Sequence, residues 1–276
     1  MLVLCSPLYA SVVASLVGNV VLPSLIAISL SSNVSEYDFG SGSSVQIENI
    51  LKIQDKVLTE PKFIGAGGGG AVFSYRQSSA QPPQSQASHT NDNVVVKYSW
   101  LQSAQSVTNE CNVLKVMEAR HVTGVERCLA RMDYQPDPRR TVIVMEPYLE
   151  DAVSSMAELS PDVARKATQN LIKSVVEMLA ARVATVDLQP LISKRTGDLI
   201  LIDMTEAVIL GENTLSSIEK ATVAEFCTEV VALIPDNLLD DASQFFTQET
   251  KRLEQSSGVL LQDDVGNILE GMLNTN

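Results

Sequence analysis

The segment Gly65-Ala66-Gly67-Gly68-Gly69-Gly70-Ala71-Val72 suits the cradling of phosphate oxygens by main-chain amides. Only a residue without a Cβ lets the backbone come that close to an anion. The spacing of Gly65, Gly67 and Gly70 is weak on its own, because the turn of a dinucleotide-binding unit shares it. That turn runs straight into a helix, whereas Ala71-Val72-Phe73-Ser74-Tyr75 alternates as a strand does. A glycine-rich hairpin closing over phosphates fits better, with a flexible loop that holds no ligand as the plain alternative. Lys97 ends the apolar run Val94-Val95-Val96, and a buried ammonium needs an anion within reach. Phosphate oxygens and a carboxylate from the following helix would satisfy it. Glu110, in Asn109-Glu110-Cys111-Asn112-Val113-Leu114, is suitably placed; a lysine at an exposed strand edge is the other possibility.

Positioning these groups requires strands before Lys97 and a helix after it. The sequence predicts strands at Lys62–Ile64, Ala71–Arg76 and Val94–Tyr98, with Gln77–Asn93, rich in Ser, Gln, Pro and Asn, as a flexible insertion. Val107–Arg120 has Val113, Leu114, Val116 and Met117 on one side and reads as a helix. Cys128–Tyr134 and Thr141–Met145 follow as two strands about the turn Gln135-Pro136-Asp137-Pro138. Ser160-Pro161 supplies an N-cap and a proline at the first helical position, opening a helix to about Arg182. A strand pair, Leu191–Ser193 and Leu199–Ile202, precedes helices at about Leu215–Ile234, Asn237–Gln255 and Val265–Leu273. Upstream, Ser31–Ser44 reads as a polar linker and Val45–Val57 as a short helix. Strands first and helices afterwards do not fit a doubly wound α/β sheet, and there is no internal repeat.

Over about Pro61 to Ala207 the chain resembles the protein-kinase-like superfamily. Gly65, Gly67, Gly70 and Val72 match its glycine-rich loop, Lys97 its third-strand lysine and Glu110 its helix glutamate. Val142-Ile143-Val144-Met145-Glu146-Pro147-Tyr148 is similar to its fifth strand and hinge. That similarity makes Met145 the gatekeeper and brings the Glu146 to Tyr148 backbone to the adenine. Thr185-Val186-Asp187-Leu188-Gln189-Pro190 resembles the catalytic loop, with Asp187 as candidate base. Ile200-Leu201-Ile202-Asp203 resembles the strand entering the metal-binding element, with Asp203 as magnesium ligand. The resemblance implies an α+β, bilobal protein-kinase-like fold with a β-rich N-lobe and a truncated helical C-lobe. Residues 1–58 would be an apolar segment, linker and short helix, 59–148 the N-lobe with its insertion at 77–93, and 149–276 the reduced C-lobe.

The same resemblance implies an ATP- and Mg2+-dependent phosphotransferase moving the γ-phosphate to a hydroxyl acceptor, such as a protein serine or threonine. The departures point to the alternative, a pseudokinase that serves as a nucleotide-binding or protein-interaction module. Thr185 and Val186 replace the loop histidine and arginine, Gln189 the lysine and Ile192 the metal-binding asparagine. Met204-Thr205 follows Asp203 in place of phenylalanine and glycine, and only about seventy residues remain beyond it. That brevity is similar to minimal kinase-like folds, including small bacterial effector kinases, and to outlying small-molecule phosphotransferases.

Composition sets the outer limits. Lys and Arg number 20 against 33 Asp and Glu, a net charge of −13, which argues against a protein that coats nucleic acid. From Asp203 onward there are 14 acidic and 3 basic side chains, so 11 of those 13 charges sit in the last quarter, suiting solubility or a basic partner. Cys5, Cys111, Cys128 and Cys227 are widely spaced and read as buried small hydrophobes, with neither a zinc site nor a disulfide framework indicated. Leu2–Leu30 has no charged side chain. As a helix it would extend about 43 Å, which leaves open a targeting signal, a membrane anchor, or apolar helices packed on the domain.

Overall fold

Period-two alternation shapes the first half of the chain, and helical spacing much of the second. The structure, a computed structural model, describes residues 26–31, 34–39, 44–53, 56–78, 93–212, 214–257, 267–271 and 273. Seven strands come first: β1 (Ile26–Ser31), β2 (Val34–Asp38), β3 (Ser44–Glu48), β4 (Ile50–Ile53), β5 (Lys56–Ala66), β6 (Gly70–Ser78) and β7 (Asn93–Ser99). Helix α1 (Ala104–Ala119) is followed by β8 (Arg127–Asp133), β9 (Thr141–Glu146) and β10 (Ala152–Val153). Helix α2 (Pro161–Ala180), β11 (Val183–Ala184), β12 (Gln189–Ser193), β13 (Leu199–Ile202) and β14 (Val208–Ile209) come next, then α3 (Ser217–Leu233) and α4 (Leu239–Ser257).

The fold is mixed α+β, built on a curled antiparallel sheet of order β4-β5-β6-β7-β9-β8. Its two faces have different tasks. On one, Val94, Val96 and Tyr98 of β7 pack with Phe73 and Tyr75 of β6 and Val142 and Val144 of β9 in an aromatic-rich core. On the other, Ile143 and Met145 of β9 join Val107 and Leu114 of α1 and Leu171 and Val175 of α2 in a larger core. Alternation along β7 sends Lys97, like Val95, to this second face, toward α1.

Several sequence expectations need correction. The region 45–57 is not a helix: β3, β4 and the start of β5 occupy it. Burial alternates there, with Val45 and Ile47, then Leu51 and Ile53, inside while Ile50 is 46% exposed. The helical match depended on that exposed isoleucine, and β-branched residues at period two favour a strand. Ser31–Ser44 is not simply a linker either, because β2 pairs with β1 and β3; Tyr37 meets Phe73 edge-on at 5.0 Å between ring centroids. β5 crosses the boundary drawn between 58 and 59, so β4 and β5 belong to the main sheet. Gln77 and Ser78 extend β6 and Asn93 begins β7, leaving the rest of the insertion outside the described residues.

The cysteine expectation is overturned as well. Cys111 of α1 and Cys128 of β8 form a disulfide with Cα atoms 5.3 Å apart. Sequence spacing carried no sign of it, because the sheet edge and helix meet only through tertiary packing. Cys227 is free and buried, and Cys5 lies outside the described residues, as does nearly all of the apolar segment. Among the described residues no helix is long and apolar enough to cross a membrane.

Candidate functional site

β5 and β6 form a hairpin whose tip is the glycine segment, with Gly65 opposite Val72 and Ala66 opposite Ala71. Gly70 starts β6 against β7, where an added Cβ would stand 2.1 Å from the Tyr98 carbonyl oxygen. No side chain fits there. The tip is held by its carbonyls: Trp100 Nε1 donates to Gly67 O at 2.7 Å, Ser103 Oγ to Gly68 O at 3.1 Å and Trp100 N–H to Gly69 O at 3.2 Å. Gly69 lies directly over the lysine, its hypothetical Cβ 3.2 Å from Lys97 Nζ. The same construction at Gly67 and Gly68 meets nothing within 4 Å, leaving open space beside the loop.

Under this loop three side chains from separate elements meet. Val107, Glu110, Cys111 and Leu114 share the buried face of α1, at spacings of three and four residues. That places Glu110, fully buried, 2.9 Å from Lys97 Nζ. Asp203, immediately after β13, lies 2.8 Å from the same nitrogen. Its backbone is left-handed, φ 59° and ψ 64°, a conformation aspartate tolerates better than most residues. Thr205 Oγ1 donates to the same carboxylate oxygen at 2.7 Å.

One buried glutamate takes the amide at this turn: Glu126 Oε1 accepts from Asp203 N–H at 2.9 Å. Burial works against the Lys97 ammonium, but Glu110 and Asp203 outweigh it and leave its pKa raised. Burial lifts the Glu110 carboxyl, with Lys97 opposing. Burial also acts to raise Asp203, yet the lysine charge and hydrogen bond and the Thr205 hydroxyl hold it below its ordinary value. Glu126 is pushed well above the ordinary range by burial and then by negative Glu110. Glu110 and Asp203 therefore share one ammonium, and Glu126 stands behind them on the Asp203 amide.

Asp187 is brought near without joining the cluster. The β12–β13 hairpin pairs Gln189 with Ile202, so Asp187 and Asp203 extend from the same end of it. The described hydrogen bonds of Asp187 are local: its N–H donates to Thr185 Oγ1 at 3.3 Å, and Gln189 Nε2 donates to its Oδ2 at 2.9 Å. Ile192 is buried in the core and offers no oxygen. Met145 is also buried, on the face of β9 that looks toward α1. Glu146 ion-pairs with Arg127 of the neighbouring strand and precedes a cis bond to Pro147, and Tyr148 follows β9 half-buried.

No protein-family model and no curated protein matches this sequence.

Among the described residues no cluster of three or more His, Cys, Asp or Glu side chains is arranged to hold a metal by itself. Asp203 alone, with its side chain 26% exposed, fits a magnesium ion that takes one protein carboxylate and completes its shell with phosphate oxygens and water. The residues present thus fit a metal arriving with a nucleotide. Glu126, Thr205, Trp100 and Ser103 were not singled out from sequence. Glu126 sits between Val125 and the exposed Arg127, where an acid reads as a surface residue. The chain's one tryptophan, Trp100, comes immediately after β7 and was the available cue to the loop's anchor.

Proposed function

We propose that the chain is a divergent, bilobal protein-kinase-like phosphotransferase, using ATP with magnesium and a hydroxyl acceptor of the protein serine or threonine type. The observation that carries this reading is the meeting of Lys97, Glu110 and Asp203 beneath the glycine hairpin, at 2.9 and 2.8 Å. Four segments distant in sequence supply one cationic, one glycine-rich and two acidic elements, the set that phosphoryl transfer needs for positioning and charge neutralisation.

In this mechanism the tip amides of Gly68 and Gly69 face phosphate oxygens, while Gly67 N–H closes the hairpin on Gly70 O at 3.0 Å and the tip carbonyls stay tied to Trp100 and Ser103. Lys97 turns its ammonium from Asp203 toward phosphate and is held on line by Glu110. Asp203 would hold the magnesium ion, which would supply positive charge to offset that developing in the transferred group. Asp187, oriented by the Gln189 amide, accepts the proton of the acceptor hydroxyl. The backbone after Met145 borders the place for the base.

A pseudokinase is the second reading, and a specific observation favours it. Ile192 is committed to the core and Gln189 brings no charge, so neither a second metal ligand nor a loop cation is supplied. Transfer of labelled phosphate from ATP separates the two. A turnover that Asp187→Ala lowers by about 10²–10⁴-fold, with ATP binding retained, supports the enzyme. Magnesium-dependent ATP binding without transfer supports the pseudokinase. Absence of both ends the reading.

A further inference from the structure

We propose that Glu126 is a positioning residue of the site, acting through Asp203 on the binding of metal-bound nucleotide; this rests on the reading of Asp203 as the metal-holding carboxylate. The backbone that carries Glu126 is fixed beside β13. Val125 bridges Leu201 in parallel, Glu126 N–H donates to Leu201 O at 3.0 Å, and Leu201 N–H donates to Gly124 O at 2.8 Å. Gly124 has φ 68°, and a Cβ there would fall 2.0 Å from Ser174 Oγ of α2, so the segment has one seat only. From it, Glu126 reaches the first residue beyond β13 and takes the Asp203 N–H at 2.9 Å.

A main-chain N–H can be satisfied by any carbonyl, and burying a carboxyl for that purpose is costly. Glu126 is 5% exposed, its neighbour Arg127 turns to Glu146, and the nearest ammonium is already shared by Glu110 and Asp203. What the arrangement secures is the left-handed turn at Asp203. There the backbone sets the direction of Cα–Cβ, and so which way the carboxylate points. Glu110 grips Lys97, the ammonium on the Asp203 carboxylate, at 2.9 Å. The disulfide joins the two supports, since Cys111 follows Glu110 directly and Cys128 comes two residues after Glu126.

The test compares ATP affinity in excess magnesium with ATP affinity in EDTA, measured by calorimetry on the full chain. Glu126→Gln keeps the acceptor oxygen and should retain the wild-type ratio of the two affinities. Glu126→Leu removes the acceptor, and Glu126→Asp withdraws it by one methylene while keeping the carboxyl. Both should lower the magnesium-supported affinity about 10-fold or more, in the manner of groups that orient a metal ligand. Binding in EDTA, which relies on the glycine hairpin and Lys97, should be unchanged. Folding of each variant is checked by its melting transition, and Glu126→Asp serves if Glu126→Leu does not fold. An unchanged ratio in Glu126→Asp, or equal losses with and without magnesium, overturns the positioning role and leaves the nucleotide site standing. A wild-type chain that binds ATP under neither condition overturns both.

Discussion

Lys97 and Glu110 are 5% and 0% exposed, which makes each the condition for the other's burial. Removing one member of such a pair costs about 3–5 kcal/mol, while replacing both by hydrocarbon can be nearly neutral. Lys97→Met should therefore destabilise the fold by about that amount in a denaturant titration, and adding Glu110→Leu should recover most of it. Equal stability of Lys97→Met and wild type would mean that the pair is not formed. The glycines separate into structural and ligand-facing positions by the same logic. Gly70→Ala, against the Tyr98 carbonyl, should lower the melting temperature, whereas Gly68→Ala, in open space, should leave it unchanged. Gly68→Ala should instead weaken ATP binding. If both substitutions left the melting temperature intact, the close approach at Gly70 would be refuted.

At the scale of elements, the disulfide ties α1 to β8 across a separation of 17 residues. A loop of that size contributes about 3 kcal/mol in the chain-entropy description, so Cys128→Ser should lose stability comparable to that of wild type in reductant. Identical melting of wild type with and without reductant would contradict the bond. Helix α3 opens with a capping box: Ser216 Oγ accepts from Glu219 N–H at 3.3 Å, and Glu219 accepts from Ser216 N–H at 2.9 Å and Gly211 N–H at 2.6 Å. The Gly211 amide first, then Ser216, lower the Glu219 carboxyl to about 2. A folded value below the ordinary one stabilises above the ordinary value, and the benefit is lost as pH falls toward about 2. Glu219→Gln should thus be less stable than wild type at neutral pH, and the two stability curves should converge on acidification. Parallel curves would count against the capping interaction. Strands β6, β7 and β9 and helices α1 and α2 were legible from their apolar period, and α2 also from the Ser160-Pro161 start. β3 and β4 were misread because 47, 50 and 51 mimic helical spacing by accident, and only the exposure of Ile50 separates the two patterns.

For the molecule as a whole, the alternating strand β7 links the two cores: its valines hold the aromatic side together, and its lysine enters the acidic cluster on the other. Lys97 and Glu110 were expected together because a buried ammonium needs a carboxylate within reach, whereas Asp203 was expected beside them only through the kinase-like resemblance. Sequence order was not enough to find Glu126 or the Cys111–Cys128 bond. Both depend on which loop lies beside β13 and which strand lies under α1, and neither neighbourhood leaves a periodic trace. The central claim, that this cluster receives the phosphates of ATP, is most directly tested by ligand-induced stabilisation. In magnesium, ATP at 100 times its dissociation constant should stabilise the wild-type chain by about 2.7 kcal/mol. The Lys97→Met, Glu110→Leu double variant, folded but without the ammonium, should gain little or nothing. An equal gain in both, or none in wild type, would contradict the claim.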